Sequence, residues 1–159
     1  VYSLRSNTNF FRGRPFISKD EVTNINQQFS SVLPSDFLAF LEIHNGFAKH
    51  ADTGIITAEA MPLVATQVSK GIMNEGKSIL CGASAIDPRA LIPFYQCFGR
   101  NFFQCFYADW YPGVEMGNVY YSGIDNTISN YHNVANLSEQ LAFPSFLEWL
   151  IFYLEEVEL

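Results

Sequence analysis

The amino-acid sequence predicts an α+β fold: a mainly antiparallel sheet flanked by N-terminal helices and a C-terminal helix. Three observations predict it. Helix start and stop signals cluster between residues 18 and 47. Short β-prone runs separated by tight-turn residues fill the middle of the chain, and strands joined by short turns pair antiparallel. A last, strongly apolar helical run follows Pro144. At 159 residues the chain has the size of one domain. Residues 1–159 are therefore read as a single domain with its core at about 18–155.

Residues 1–16 show no periodicity and are read as irregular. Ser18 then suits an N-cap, with Glu21 three positions on to complete a capping box and Ile17 and Val22 placed as a hydrophobic staple. Val22, Ile25, Phe29 and Val32 follow at helical spacing and predict one apolar stripe. The stretch LPSDFLAFLEIHNGF (33–47) predicts a second helix. Pro34 fits its first position, and Ser35 and Asp36 complement its positive end. Phe37, Phe40, Leu41 and His44 share a face. Gly46 suits the left-handed residue beyond the helix, with Phe47 folding back onto Leu41. Asn45-Gly46 is thus read as a helix end. A phosphate loop would need more glycines and a helix starting there.

Beyond residue 50, residues 54–57 read as a strand and 64–73 as a helix closed near Glu75-Gly76. Residues 78–81 read as a strand. Pro88 and Pro93 bracket an extended stretch running to Phe98. Residues 101–109 and 118–123 are rich in strand formers, with turns at 109–113 and 123–127 and a further strand at 128–134. The closing helix is apolar on most sides. Its late acids lie where the helix dipole disfavours them, so its start should be buried and its end exposed.

Composition narrows the function. A hydrophobic fraction of 48%, with 15 Phe and 8 Tyr, is that of a globular chain with ample core material. No apolar run approaches a membrane span, and none of the opening residues form an apolar signal core. Cys81, Cys97 and Cys105 are odd in number and lack metal-ligand spacing, so they read as reduced core thiols of a cytoplasmic protein. The net charge is −7 and unevenly spread. Residues 1–100 hold all nine Lys and Arg against eight acids, whereas 101–159 hold eight acids and no Lys or Arg. Such a region repels phosphate and attracts basic partners, which disfavours nucleic-acid binding.

The catalytic signatures GxSxG, HExxH and CxxC do not occur. His44, His50 and His132 form no recognisable ligand set. Cys81-Gly82-Ala83 lacks the residues that accompany a catalytic thiol and reads as a buried cysteine. No enzyme, cofactor or metal is therefore expected. Asn136-Leu137-Ser138 fits a glycosylation acceptor, a tripeptide common by chance. One loop carries more: Asp109, Trp110, Tyr111 and Glu115 place two large aromatics beside two acids, a composition suited to a protein partner. Asp125 joins them as a candidate. The competing reading folds Trp110 inward to cover a sheet edge.

Four segments together resemble the SUKH superfamily, which includes fungal regulators of cell-wall assembly and killer-toxin resistance and many bacterial immunity proteins. They are Leu33-Pro34 to Leu41 followed by Asn45-Gly46; the pair of runs 91–94 and 102–106 with Gly99 between them; Asn118-Val119-Tyr120-Tyr121 followed by Asp125; and the closing run 141–150, LAFPSFLEWL. Two positions depart from the family pattern: Phe47 stands where a second glycine is frequent, and Pro144 replaces a polar residue. The resemblance implies a helix-flanked sheet used as a non-catalytic binding platform. The implied function is an immunity protein that neutralises a cognate basic, nuclease-type toxin. The alternative is a regulatory or scaffolding domain with no toxin partner.

Overall fold

A computed structural model describes residues 2–5, 10–49, 52–81, 84–97, 101–128 and 142–155. Among them, ten strands form one sheet: β1 (Tyr2–Arg5), β2 (Phe10–Gly13), β3 (Phe47–Lys49), β4 (Gly54–Ile55), β5 (Ile79–Cys81), β6 (Ser84–Ile86), β7 (Leu91–Gln96), β8 (Phe102–Tyr107), β9 (Asn118–Ser122) and β10 (Thr127–Ile128). The helices are α1 (Lys19–Asn26), α2 (Ser35–Leu41), α3 (Met61–Asn74) and α4 (Phe146–Glu155), with a 3-10 turn at Pro88–Ala90. The sheet runs β1-β2-β3-β4-β7-β8-β9-β10-β5-β6. Every pairing is antiparallel except β10 with β5, which is parallel. The fold is α+β, as the turn-linked strands predict.

The capping box at α1 forms as its residues require: Glu21 N donates to Ser18 Oγ at 3.3 Å, and Ser18 N donates to Glu21 Oε2 at 2.8 Å. Three expectations need correction. Residues 1–16 are not irregular throughout, because β1 and β2 pair as a hairpin and β2 pairs with β3. The layout is therefore not helices first. Val32 leaves the predicted apolar stripe: α1 stops at Asn26, whose Oδ1 accepts from Leu33 N at 2.8 Å and draws the chain across the helix end. Val32 is left 73% exposed. Pro34 stands one residue outside α2, in extended conformation at the N-cap. The predicted strand at 128–134 is described only to Ile128; its remainder lies outside the described residues.

Asn45-Gly46 does more than end a helix, since α2 already stops at Leu41. Asn45 is buried and accepts from Ala58 N at 2.8 Å while donating to Glu59 Oε1 at 2.8 Å. Gly46, at φ +93°, lies against Ile55 O, where an added Cβ would sit at 3.1 Å. The pair fastens the end of α2 to the segment that launches α3.

Strand alternation separates two cores. Ile92, Phe94 and Phe106 pack with Phe37, Phe40 and Leu41 of α2 and with Phe146 and Trp149 of α4. Leu91, Phe103, Cys105 and Tyr107 point the other way, joining Ile72 of α3, Val119 and Tyr121. The β7–β8 register shifts between Pro93 and Tyr95, which makes Phe94 an extra residue. Phe94 and Tyr95 both contact Trp149, so the bulge directs two successive rings toward α4. Tyr95 Oη also donates to Asp52 Oδ2 at 2.6 Å, and Tyr153 Oη approaches the same oxygen. Burial, reinforced by that carboxylate, pushes both phenols well above their ordinary pKa.

His44 lies between the Phe40 and Phe47 rings, with centroids at 5.5 and 5.9 Å. Partial burial lowers its pKa below the ordinary 6.5. Because the unfolded imidazole takes up a proton first, this contribution is present above about pH 6.5 and fades as pH falls through the lower folded value. Thermal midpoints should therefore drop further between pH 7.5 and 5 for the natural chain than for a His44→Gln variant. Equal drops would remove His44 as the cause.

Candidate protein-binding surface

Two loops and two helix ends converge at one end of β8 and β9. Asp109, Trp110, Tyr111 and Glu115 lie in the connection between these strands. The Glu115 carboxylate reaches α2 and accepts from Ser35 N at 2.9 Å, capping its positive end. Asp36, the next residue, uses one oxygen on Phe37 N at 2.8 Å and the other on Leu147 N at 2.8 Å. One carboxylate thus serves the starts of two helices.

Asn118 holds the same junction from below. It is fully buried, and its Nδ2 donates to Ser145 O at 2.9 Å while its Oδ1 accepts from Gln104 Nε2 at 2.7 Å. Its backbone exchanges two hydrogen bonds of 2.9 Å with Phe143. The loop, the α2 start and the α4 start therefore form one connected surface. Its acids are Asp109, Glu115 and Glu148, all exposed, with Asp36 half-buried. Its exposed apolar side chains include Tyr111 at 52%, Val114 at 98% and Leu147 at 53%.

Trp110 is not on this surface. It is 8% exposed and packs in the second core, its ring edge against Gly117, where an added Cβ would sit 2.7 Å from the indole. The inward-folded reading is the one that the structure displays. Trp110 supports the loop from beneath, and Tyr111 is the aromatic presented to solvent. Asp125 is also apart from the rim. It lies beyond Ser122 at the opposite end of β9, where its carboxylate accepts from Ser122 Oγ at 3.0 Å within the turn. At about 3.4 Å per residue, the five residues of β9 place roughly 14 Å between its two ends.

The sequence marks Asp36 only as part of its own helix start and Asn118 only as part of a β-prone family segment, and it marks Gln104 not at all; nothing local identifies a strand Asn or Gln as buried. Among the described residues, no three His, Cys, Asp or Glu side chains stand close enough to share a metal ion. Nor is any helix long and apolar enough to cross a membrane. Burial holds the Cys105 thiol far above its ordinary pKa, which keeps it protonated and poorly nucleophilic.

Architecture and surface together define a class: a helix-flanked, mainly antiparallel sheet carrying an acidic, part-aromatic rim. The chain matches the SMI1 / KNR4 family (SUKH-1) over residues 17–151 and belongs to that family. Domains of this family are generally non-catalytic immunity or regulatory modules. No curated protein matches the chain.

Proposed function

We propose that this domain is a protein-binding module of the immunity type, and that it neutralises a basic, nuclease-type toxin. The supporting observation is the rim itself. In residues 101–159, which hold no Lys or Arg, all the described acids are exposed, and three of them border Tyr111, Val114 and Leu147. A nuclease must gather phosphates with a basic surface, and an acidic rim complements that surface. Charge speeds encounter, while the exposed rings and aliphatic side chains supply area for desolvation.

Capture of partners from the native host at low and then high salt should retain one basic protein whose yield falls as salt rises. Against that protein, the combination Asp109→Asn, Tyr111→Ala and Glu148→Gln should weaken affinity by about 10- to 100-fold, mostly through slower association for the two charge changes. These positions avoid Trp110, Glu115 and Asp36, which hold the fold. Unchanged affinity by calorimetry would remove the rim as the binding surface. Retention of several salt-insensitive partners would favour a regulatory scaffold instead.

A further inference from the structure

A cleft of about 230 Å³ opens on the opposite face of the sheet, between α3 and the strands β7, β8 and β9. Val64, Val68 and Ile72 form one wall, and Phe103 and Tyr121 line the other side. The remaining lining is polar: Gln67, Gln96, Asn101, Asn126 and, at the end of α3, Glu75.

Two of these groups are buried with no side-chain hydrogen bond among the described residues. Tyr121 is 4% exposed, yet its hydroxyl has no hydrogen-bond partner among the described residues. Asn126 is 8% exposed, and its side-chain amide likewise has none, although its backbone carbonyl accepts from Leu80 N at 3.2 Å. Buried polar groups are almost always paired. Two unpaired ones lining one cleft mark a place where a polar ligand completes the bonding.

The chemistry of the cleft selects that ligand. Its volume lies below the roughly 300–1,000 Å³ of drug-sized pockets and suits one long side chain. Acceptor oxygens are available on Tyr121, Asn126, Asn101 and Gln96, around an apolar wall that can hold a methylene stem. Glu75 adds negative charge. Burial pushes the Tyr121 phenol up to about 12, with Cys105 and then Glu75 as smaller causes, so the field of Glu75 reaches it. Glu75 is paired with Lys77 at 3.0 Å, but both side chains are more than half exposed, so the pair is weak and can yield to a better cation. A planar fork of five donors uses several dispersed acceptors where an ammonium uses fewer.

We propose that this cleft is a socket for an arginine side chain presented by a basic protein partner, with Tyr121, Asn126 and Glu75 receiving the guanidinium. The assignment rests on the binding-module reading above and adds a second contact on the other face of the sheet.

The test uses the whole chain, labelled with nitrogen-15, titrated with acetyl-glycyl-arginyl-glycinamide and with its glutaminyl counterpart. The arginyl peptide should shift amides at 71–75 and 121–126 with a dissociation constant in the millimolar range, and the glutaminyl peptide should not. Tyr121→Phe and Glu75→Gln should each weaken the effect about tenfold. Gly71→Leu provides a block that spares the fold: Gly71 is exposed, lines the cleft, and a Cβ there meets nothing within 4 Å. It should abolish the shifts with the spectrum otherwise preserved. Equal shifts from both peptides, or none from the arginyl peptide, would overturn the socket. So would a captured basic partner that binds Gly71→Leu as tightly as the natural chain. That last result would leave the rim reading standing, whereas failure to capture any partner tests the rim reading alone.

Discussion

Phe37→Ala is expected to destabilise the fold by about 3–5 kcal/mol, the range for deleting a buried aromatic ring. Phe37 is fully buried at the centre of the α2–α4 core. Its ring meets those of Phe106 and Phe146 edge-on at 5.0 Å each, and Phe94 at 5.9 Å. Those rigid rings move little into the vacated space, which sets the cost toward the high end of the range. For a chain of this size the thermal midpoint should fall by about 6–20 °C. Phe37→Leu, which retains most of the volume, should lose much less. A midpoint for the alanine variant within a degree or two of the natural chain would contradict the core described here.

Asn118→Ala is the second large effect, expected at about 2–4 kcal/mol in denaturant unfolding. The substitution removes the hydrogen bonds that Asn118 makes to Gln104 Nε2 and to Ser145 O, and it vacates a fully buried position. Losing two buried hydrogen bonds together with a packed side chain accounts for that range. The backbone bridge between Asn118 and Phe143 does not depend on the side chain and should persist. The rim should therefore loosen without being lost. Partner affinity should fall although Asn118 itself is inaccessible to any partner. Full affinity in a destabilised variant would show that the α4 start is held to the rim by other contacts.

The contrast between what could and could not be read in advance has physical causes. The capping box at Ser18 and Glu21 is local, and it was legible because each partner is three residues from the other. The strands β7, β8 and β9 were legible because they are continuous β-prone runs bounded by turns. The β1–β2 hairpin was not: it is a set of four-residue strands without clear alternation, placed by pairing with β3 much later in the chain. The surface divides in the same way. A composition of acids and aromatics in the loop at 109–115 was visible. Which aromatic faces outward was not, because Trp110 is drawn inward by the flat site at Gly117 and by neighbours from distant strands. Asp125, a candidate that follows the Asn118–Tyr121 segment of the family pattern, is carried by β9 to the far end from that loop. The double duty of Asp36 depends on a helix that starts more than a hundred positions later, with Leu147 N as its partner.

The one parallel pairing has a kinetic consequence. β7, β8 and β9 can assemble from neighbours in the chain, and such local closure is fast. β5 and β6 must wait, since β5 joins the sheet through Leu80 beside Thr127 of β10, which is itself a two-residue strand attached to β9. The central meander therefore serves as the template, and the β5–β6 hairpin docks late along a loop that is long and entropically costly to close. Glu75, at the end of α3 and just ahead of β5, and Asn126, which holds Leu80, both belong to this late step. Of the residues that line the cleft on that face, Asn126 is the one tied to β5 directly, through its bond to Leu80.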